Sequence, residues 1–365
     1  MRCRLSFQRG IAVITVLLAL AIGVLICSEV IMRVYNGVKR SGNHFNTQQG
    51  WEYALGGEAW ARQQLAADFE KDKSTLKVDH FLEKWAMPLQ KMPIEGGSIE
   101  VEIYDMQARF NLNNLIDEKG AINTAQVKIL RGLFASLGVR PAYADMAARW
   151  ASYADDNDAL YDSEKMPYRA GDTQFGSVSE LRMLKDIEMK EYRRVQPFLS
   201  ALPVPVSINI NTAPVQVLAS MTNNTEQTIE RLKSFVEQRK QQLNGYSSPD
   251  VFARLANIDE DSLEDQLGVS SEYFEVRTIA EYNGRRVWLI STLFRDAQTG
   301  EISLLSRDTS QRFTLGDSGL SSNSNADDVV SGKNSRDSTD DVGEKEDAGN
   351  EDEPDQDEPD KEDEQ

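Results

Sequence analysis

Ile11-Ala-Val-Ile-Thr15-Val-Leu-Leu-Ala-Leu-Ala-Ile-Gly23-Val-Leu-Ile-Cys-Ser28 decides how this chain is built, because it carries no charge from end to end. About 20 apolar residues in a helix span a hydrocarbon core of roughly 30 Å. The apolar pattern resumes past Glu29 with Val30, Ile31 and Met32. Residues 11–32 are therefore read as a transmembrane helix lying in the lipid bilayer. The stretch before them is Met1-Arg-Cys-Arg-Leu-Ser-Phe-Gln-Arg9-Gly10, and Arg2, Arg4 and Arg9 orient that end towards the cytoplasm. A secretory signal has a shorter apolar region, roughly 7–15 residues, with a small-residue cleavage site beyond it. Here Ala19, Ala21 and Gly23 lie inside the run and no A-x-A pattern follows.

Working outward, Gly10 stands between Arg9 and the apolar run. This arrangement resembles the leader of type IV prepilins. The resemblance implies a leader peptide at 1–10, cut by a prepilin peptidase between Gly10 and Ile11, with N-methylation of Ile11. Pilin-like chains usually carry Glu as the fifth residue after the cut, whereas Thr15 occupies that position here. The alternative is an uncleaved signal anchor in which Gly10 is incidental.

Past the bilayer, Ser41–Phe69 is rich in helix formers, with Trp51, Ala54, Leu55, Ala59, Ala61 and Leu65 approximating a 3.6-residue period. One helix from Ile11 to about Phe69 would be about 90 Å long at 1.5 Å per residue. Gly37, Gly42, Gly50, Gly56 and Gly57 lower its helix propensity and leave its continuity open. His44 and His80 have no ligand-like spacing and read as surface or boundary residues.

After Pro93 the texture changes. Gly96–Tyr104 alternates apolar and polar residues as a half-buried strand does, and Gln107–Leu115 reads as a second short strand or a turn-rich segment. Helical signals follow at Thr124–Leu137, Arg140–Trp150, Ser179–Leu184, Lys190–Leu199, Ala213–Met221 and Thr228–Leu243. Strands return at Tyr273–Tyr282, the type I′ hairpin signal Asn283-Gly284, Arg286–Phe294 and Ile302–Leu305. The pattern predicts an α+β protein with a helical domain inserted between strands. Its α/β part comprises 33–115 and 271–310. Its insert is 116–270, in two subdomains of about 116–206 and 207–270.

Charge is uneven. Ser321–Gln365 holds 18 acidic and 4 basic residues and no aromatic, so it carries most of the net −19. Such a segment cannot bury enough apolar surface to offset its ordering entropy, and 316–365 is expected to be a disordered acidic tail. Cys3 and Cys27 are the only cysteines and one lies in the leader, so the mature chain has no disulfide of its own.

Several stretches together, in this order, resemble the minor pseudopilin K family of type II secretion systems. They are the leader and helix, Tyr53-Ala-Leu-Gly-Gly-Glu-Ala-Trp-Ala61, Asp105-Met-Gln-Ala-Arg-Phe-Asn-Leu-Asn-Asn-Leu115, Ser177-Val-Ser-Glu-Leu-Arg182 and Ile208-Asn-Ile-Asn-Thr-Ala-Pro214. The resemblance covers roughly 8–295 and implies a pilin-like fold: a long helix on a small antiparallel sheet, carrying an inserted SAM/helix-hairpin-helix-like all-α domain. It also implies a place at the tip of a periplasmic pseudopilus, with the minor pseudopilins I and J as partners, H beside them, and the inner-membrane assembly platform beneath. There the subunit would help to start assembly and so the export of folded proteins across the outer membrane. In that setting Thr15 acquires a meaning. A carboxylate in lipid is expensive unless paired, and a subunit with none above it has no amino terminus to pair with.

Asp155-Asp156-Asn157-Asp158, followed by Asp162 and Glu164, offers closely spaced oxygen ligands of the kind calcium takes. The resemblance implies a calcium site in the insert, and Asp155, Asp156, Asn157 and Glu164 are its candidate ligands; a solvated acidic loop is the alternative. Ile208–Leu218 resembles the first turn of helix-hairpin-helix modules, but the hairpin glycine is missing and an acidic chain repels nucleic acid. Asn211 or Thr212 is expected to cap the helix after Pro214 instead. No G-x-S-x-G, H-E-x-x-H or P-loop pattern occurs, which argues against an enzyme. A signal-anchored periplasmic hydrolase and a type IV pilus minor pilin stand as the rival readings.

Overall fold

The computed structural model of the chain describes residues 8–72, 77–153, 161–162, 167–222, 225–256 and 266–316. Helix α1 spans Gln8–Asp72 as one uninterrupted element, about 97 Å long at 1.5 Å per residue. It runs through all of its glycines without a break. Two of those glycines instead admit the sheet: a Cβ on Gly57 would stand 2.6 Å from Thr278 Cγ2, and one on Gly50 would stand 3.0 Å from Val287 Cγ2.

The remaining elements, in chain order, are β1 (Leu89–Ile94), β2 (Gly97–Asp105), β3 (Phe110–Asn111), α2 (Thr124–Ser136), α3 (Ala142–Ala151), α4 (Met189–Val195), β4 (Leu199–Ser200), β5 (Ile208–Asn209), α5 (Val215–Ser220), α6 (Glu226–Arg239), α7 (Asp250–Ala256), β6 (Leu267–Gly268), β7 (Tyr273–Tyr282), β8 (Arg285–Arg295) and β9 (Ile302–Asp308). Strands β1-β2-β7-β8-β9 form one antiparallel sheet in that order. Its central pair is drawn from opposite sides of a segment of more than 160 residues, so the helical region is an insertion between β2 and β7. Asn283 (φ 46°) and Gly284 (φ 73°) make the β7–β8 hairpin as their sequence predicts. Strand β1 was not expected. It is an edge strand with Pro93 within it and Lys91 at φ 34°, devices that blunt an edge and erase its alternation.

Pleating sends alternate residues of the sheet onto α1. Ile99, Val101 and Ile103 of β2, Phe274 and Val276 of β7 and Leu293 of β8 meet Ala61 and Leu65 of α1 and Trp85. The same two-residue period carries Asp105 and Arg295, at the ends of β2 and β8, onto the buried side. Beyond β9 the chain recrosses the outer face of the sheet: Trp288 Nε1 donates to the Phe313 carbonyl at 3.0 Å and Gly316 N donates to Glu102 at 2.8 Å. The inserted region has its own larger core, including Phe110, Leu130, Phe134, Trp150, Val195, Leu218, Phe235 and Phe252. It is helical apart from the two-residue parallel pairs β3–β4 and β5–β6. Residues 178–183 form a 3-10 turn under a Ser177/Glu180 capping box, in place of the α-helix expected there.

Candidate functional site

Gly10 and Ile11 fall in the first turn of α1, and Thr15 follows within the next two turns. Thr15 Oγ1 donates to the Ala12 carbonyl at 2.9 Å, so its hydroxyl is satisfied inside the helix. From Val13 to Val38 the apolar side chains are exposed, and the helix Ala12–Asp72 is long and apolar enough to cross a membrane. This end of the chain is a single-pass anchor by length and composition.

Asp155, Asp156, Asn157 and Glu164 lie outside the described residues, as does the acidic tail. Three of the four candidate ligands, Asp155, Asp156 and Asn157, lie between the end of α3 and Tyr161, and Glu164 lies beyond Tyr161. Trp150 and Tyr161 pack edge to face at 5.3 Å, with Tyr168 against Tyr161 at 4.9 Å. Among the described residues the buried Tyr161 hydroxyl and Trp150 Nε1 have no hydrogen-bond partner, and burial pushes the Tyr161 phenol up to about 12.

The motifs at 105–115 and 208–214 meet in a polar seam between the sheet and the insert. Asp105 Oδ2 accepts from Thr212 Oγ1 (2.5 Å), Ser271 Oγ (2.6 Å) and Asn209 Nδ2 (3.1 Å), and its Oδ1 accepts from Gln107 N (2.7 Å). Burial raises its pKa above the ordinary aspartate value, against the pull of these four donors, which lower it. Three asparagines of 111–114 clamp the segment 202–206. Asn113 Nδ2 donates to the carbonyls of Phe175 and Leu202, Asn111 Nδ2 to that of Val204, and Asn114 Nδ2 to that of Val206. These amides do in side chains what a strand does in backbone. Asn211 does the same for Tyr246, donating to its carbonyl and accepting from its amide. Neither Asn211 nor Thr212 caps α5, whose N-cap is Pro214 without a side-chain bond; both side chains are spent on the seam.

Beside Asp105 lies a cluster of buried charge. Arg295 Nη2 holds both oxygens of Asp79 at 2.6 and 2.7 Å and the Ser271 carbonyl at 2.9 Å, while Nη1 reaches Asp68 Oδ2 at 3.2 Å. Asp79 also accepts from Ser271 N at 2.7 Å, and its carbonyl accepts from Asn209 Nδ2. Glu83 Oε2 accepts from Trp85 Nε1 (2.8 Å) and His80 N (3.1 Å). Burial and the neighbouring Asp68 push Glu83 up to about 8. Burial raises Asp79 to about 7 against the pull of Arg295. His80 is buried too, which lowers its basicity, so it is no surface residue. In the sheet itself burial would raise Glu275, but Arg109 and Arg277 outweigh it and hold that carboxyl near 2.

Sequence reasoning missed this cluster. Asp68, Asp79 and Glu83 sit between the end of α1 and the unexpected strand β1, and the guanidinium bonded to Asp68 and Asp79 comes from more than 200 residues away. The usable signal was the pleat, which assigns Asp105 and Arg295 to the same side as Ile103 and Leu293.

A family profile described as "Type II secretion system (T2SS), protein K" matches residues 108–204 and again residues 208–270. The chain is 35% identical over 320 residues to the type II secretion system protein K of Pseudomonas aeruginosa, covering 83% of this chain and 93% of that one. Against its counterpart from Pectobacterium carotovorum the identity is 30% over 297 residues, 74% and 88% of the two chains. Among solved structures, the crystal structure of the GspK-GspI-GspJ complex from enterotoxigenic Escherichia coli has a chain that superposes with a TM-score of 0.62 at 24% identity. The superposition covers 75% of this chain and 100% of that one, a likeness of fold.

Proposed function

The chain belongs to the protein K family of type II secretion systems and is a minor pseudopilin; from that premise we propose that it sits at the tip of the pseudopilus. There it binds the minor pseudopilins I and J, with H next in line, helps to start assembly on the inner-membrane platform, and so serves the export of folded proteins. The related K protein was solved as a complex with I and J, which supports those partners. The observation that carries the tip position is Thr15. It is uncharged and bonded to its own helix, where a subunit within the filament would need an acid to meet the next amino terminus. In this reading prepilin peptidase cuts between Gly10 and Ile11, Ile11 is N-methylated, the anchor lies in the inner membrane, and residues from about 33 onward face the periplasm. The subunit acts by assembly and not by catalysis.

Intact-mass measurement of the protein extracted from membranes tests the first step. The expected mass begins at Ile11 with one added methyl group; a chain starting at Met1 overturns it. Co-purification with I and J tests the second, and absence of any complex removes the tip assignment.

Calcium is proposed for the acidic loop. The candidate ligands Asp155, Asp156, Asn157 and Glu164 present carboxylate and amide oxygens, the donor set a hard cation takes. Bound there, the ion would neutralise the loop's charge. Titration calorimetry with calcium should show binding that the Asp155→Asn, Asp156→Asn double variant loses; heats equal in both proteins would exclude the site.

A further inference from the structure

The buried cluster at the seam has an unbalanced charge, and the imbalance has a consequence for how the insert is held. One oxygen from each of Asp68, Asp79 and Glu83 lies within 4.8 Å of the others. Arg295 is the one guanidinium bonded to them, and its contacts go to Asp79, Asp68 and the Ser271 carbonyl. Among the described residues no lysine or arginine is bonded to Glu83. His80 Nδ1 accepts from Leu82 N at 3.3 Å, which places the ring proton on Nε2, 3.8 Å from Glu83 Oε1. The other charged groups facing the cluster among the described residues are Lys71 and Asp72 of α1, Lys77 across the cavity that Asp79 and Arg295 line, Asp105 of β2 behind Asp79, and Glu272 beside Arg295 with Asp296 next to it. Three carboxylates with one guanidinium among them are tolerable only if one carboxylate keeps its proton. Asp79 is gripped on both oxygens by Arg295, so the proton falls to Glu83.

We propose that this cluster is a proton-operated latch: protonated Glu83 holds the insert on the end of the membrane-entering helix, and release of that proton lets the two part. The mechanical link is Asp79, which bonds Arg295 and at the same time the insert, through Ser271 N, the Asn209 side chain and the pairing of its own amide with the Val269 carbonyl. A third negative charge beside Asp79 works directly against those bonds. The sign follows from linkage. Glu83 titrates near 8 in the closed latch and near an ordinary glutamate value of about 4.3 when opened to water. Stability from this group is therefore fully present below about pH 4 and is lost as pH rises towards 8, with a plateau above.

Hydrogen exchange on the full-length protein in detergent tests it, followed in peptides covering 77–83, 207–213 and 267–272. After correction for intrinsic rates, opening should grow between about pH 5.5 and 7.5 by up to about tenfold per pH unit for each proton released, and level off above about 8. Glu83→Gln, whose amide mimics the protonated acid, should remove the part of the rise that belongs to Glu83, leaving only the smaller one that Asp79 contributes up to about pH 7, and His80→Gln should keep the wild-type profile. Equal profiles in wild type and E83Q, or a profile abolished by H80Q and kept in E83Q, would overturn the latch. A reading independent of variants is the buried carboxylic-acid band in the wild-type infrared spectrum: it should persist at about pH 6 and vanish by about pH 9, and its absence at pH 6 would overturn the assignment of the proton.

Discussion

The two halves of helix α1 share one secondary structure and owe it to different surroundings. From Val13 to Val38 its apolar residues are exposed on every side, as a bilayer requires, whereas Ala54, Ala61 and Leu65 are fully buried against the sheet. The bare half has no tertiary partner among the described residues; the packed half has an apolar core on one side and, at its end, Asp68 in the seam. Helices in proteins draw most of their stability from packing an apolar face. The difference teaches that length and hydropathy alone settle the first half, while the second depends on which side chains happen to meet it.

That contrast is broken most directly with leucines. Leu65 is fully buried beneath β2, β7 and β8, so Leu65→Ala should lower the unfolding free energy of the described body by about 2–5 kcal/mol. Leu25, exposed in the bare half, is its counterpart: Leu25→Ala should leave the same transition unmoved. Denaturant unfolding in detergent, followed by tryptophan fluorescence, reads both. An equal loss in the two variants would mean that the halves are not separately supported.

A smaller effect separates two adjacent glycines. A Cβ on Gly57 would stand 2.6 Å from Thr278 Cγ2 and 2.9 Å from Val101 Cγ2, too close without movement of the sheet. Gly57→Ala should cost about 1–2 kcal/mol, an overpacking penalty of roughly 1–3 kcal/mol reduced by the better helix propensity of alanine. A stabilised Gly57→Ala protein would show that the sheet gives way there at little cost, so that the packed half is looser than its geometry implies.

What could be read in advance follows the reach of each signal. The anchor, the long helix, the β7–β8 hairpin and the insertion of helices between strands all announce themselves within a few residues of sequence. Strand β1 did not, since Pro88, Pro93 and the positive φ of Lys91 remove the very alternation that marks a strand. The glycines of α1 left its continuity open for a related reason: propensity prices their backbone entropy but is blind to the Thr278 and Val101 methyls that require Gly57. The seam was furthest from view. Asn111, Asn113 and Asn114 look like turn residues, and only the fold brings them to backbone some 90 positions later. Asp68 and Arg295 are 227 residues apart and unremarkable singly. The resemblance motifs at 105–115 and 208–214 turn out to be this seam, so what identifies the family in the sequence is largely what joins its two regions.

The smallest effect is the sharpest on the helix itself. Gly56 lies next to Gly57 in the same turn, yet a Cβ there would meet nothing within 4 Å. Gly56→Ala therefore gains the difference in helix propensity, up to about 1 kcal/mol, with no clash to set against it. The stabilisation should appear in the unfolding midpoint with an unchanged denaturant slope, because the folded contacts are the same. Placed beside Gly57→Ala, it measures the sheet's contribution at a single turn: identical chemistry, one residue apart, with opposite signs. If both alanines stabilise alike, α1 is governed by propensity in its packed half as well, and the distinction between the two halves fails at its boundary.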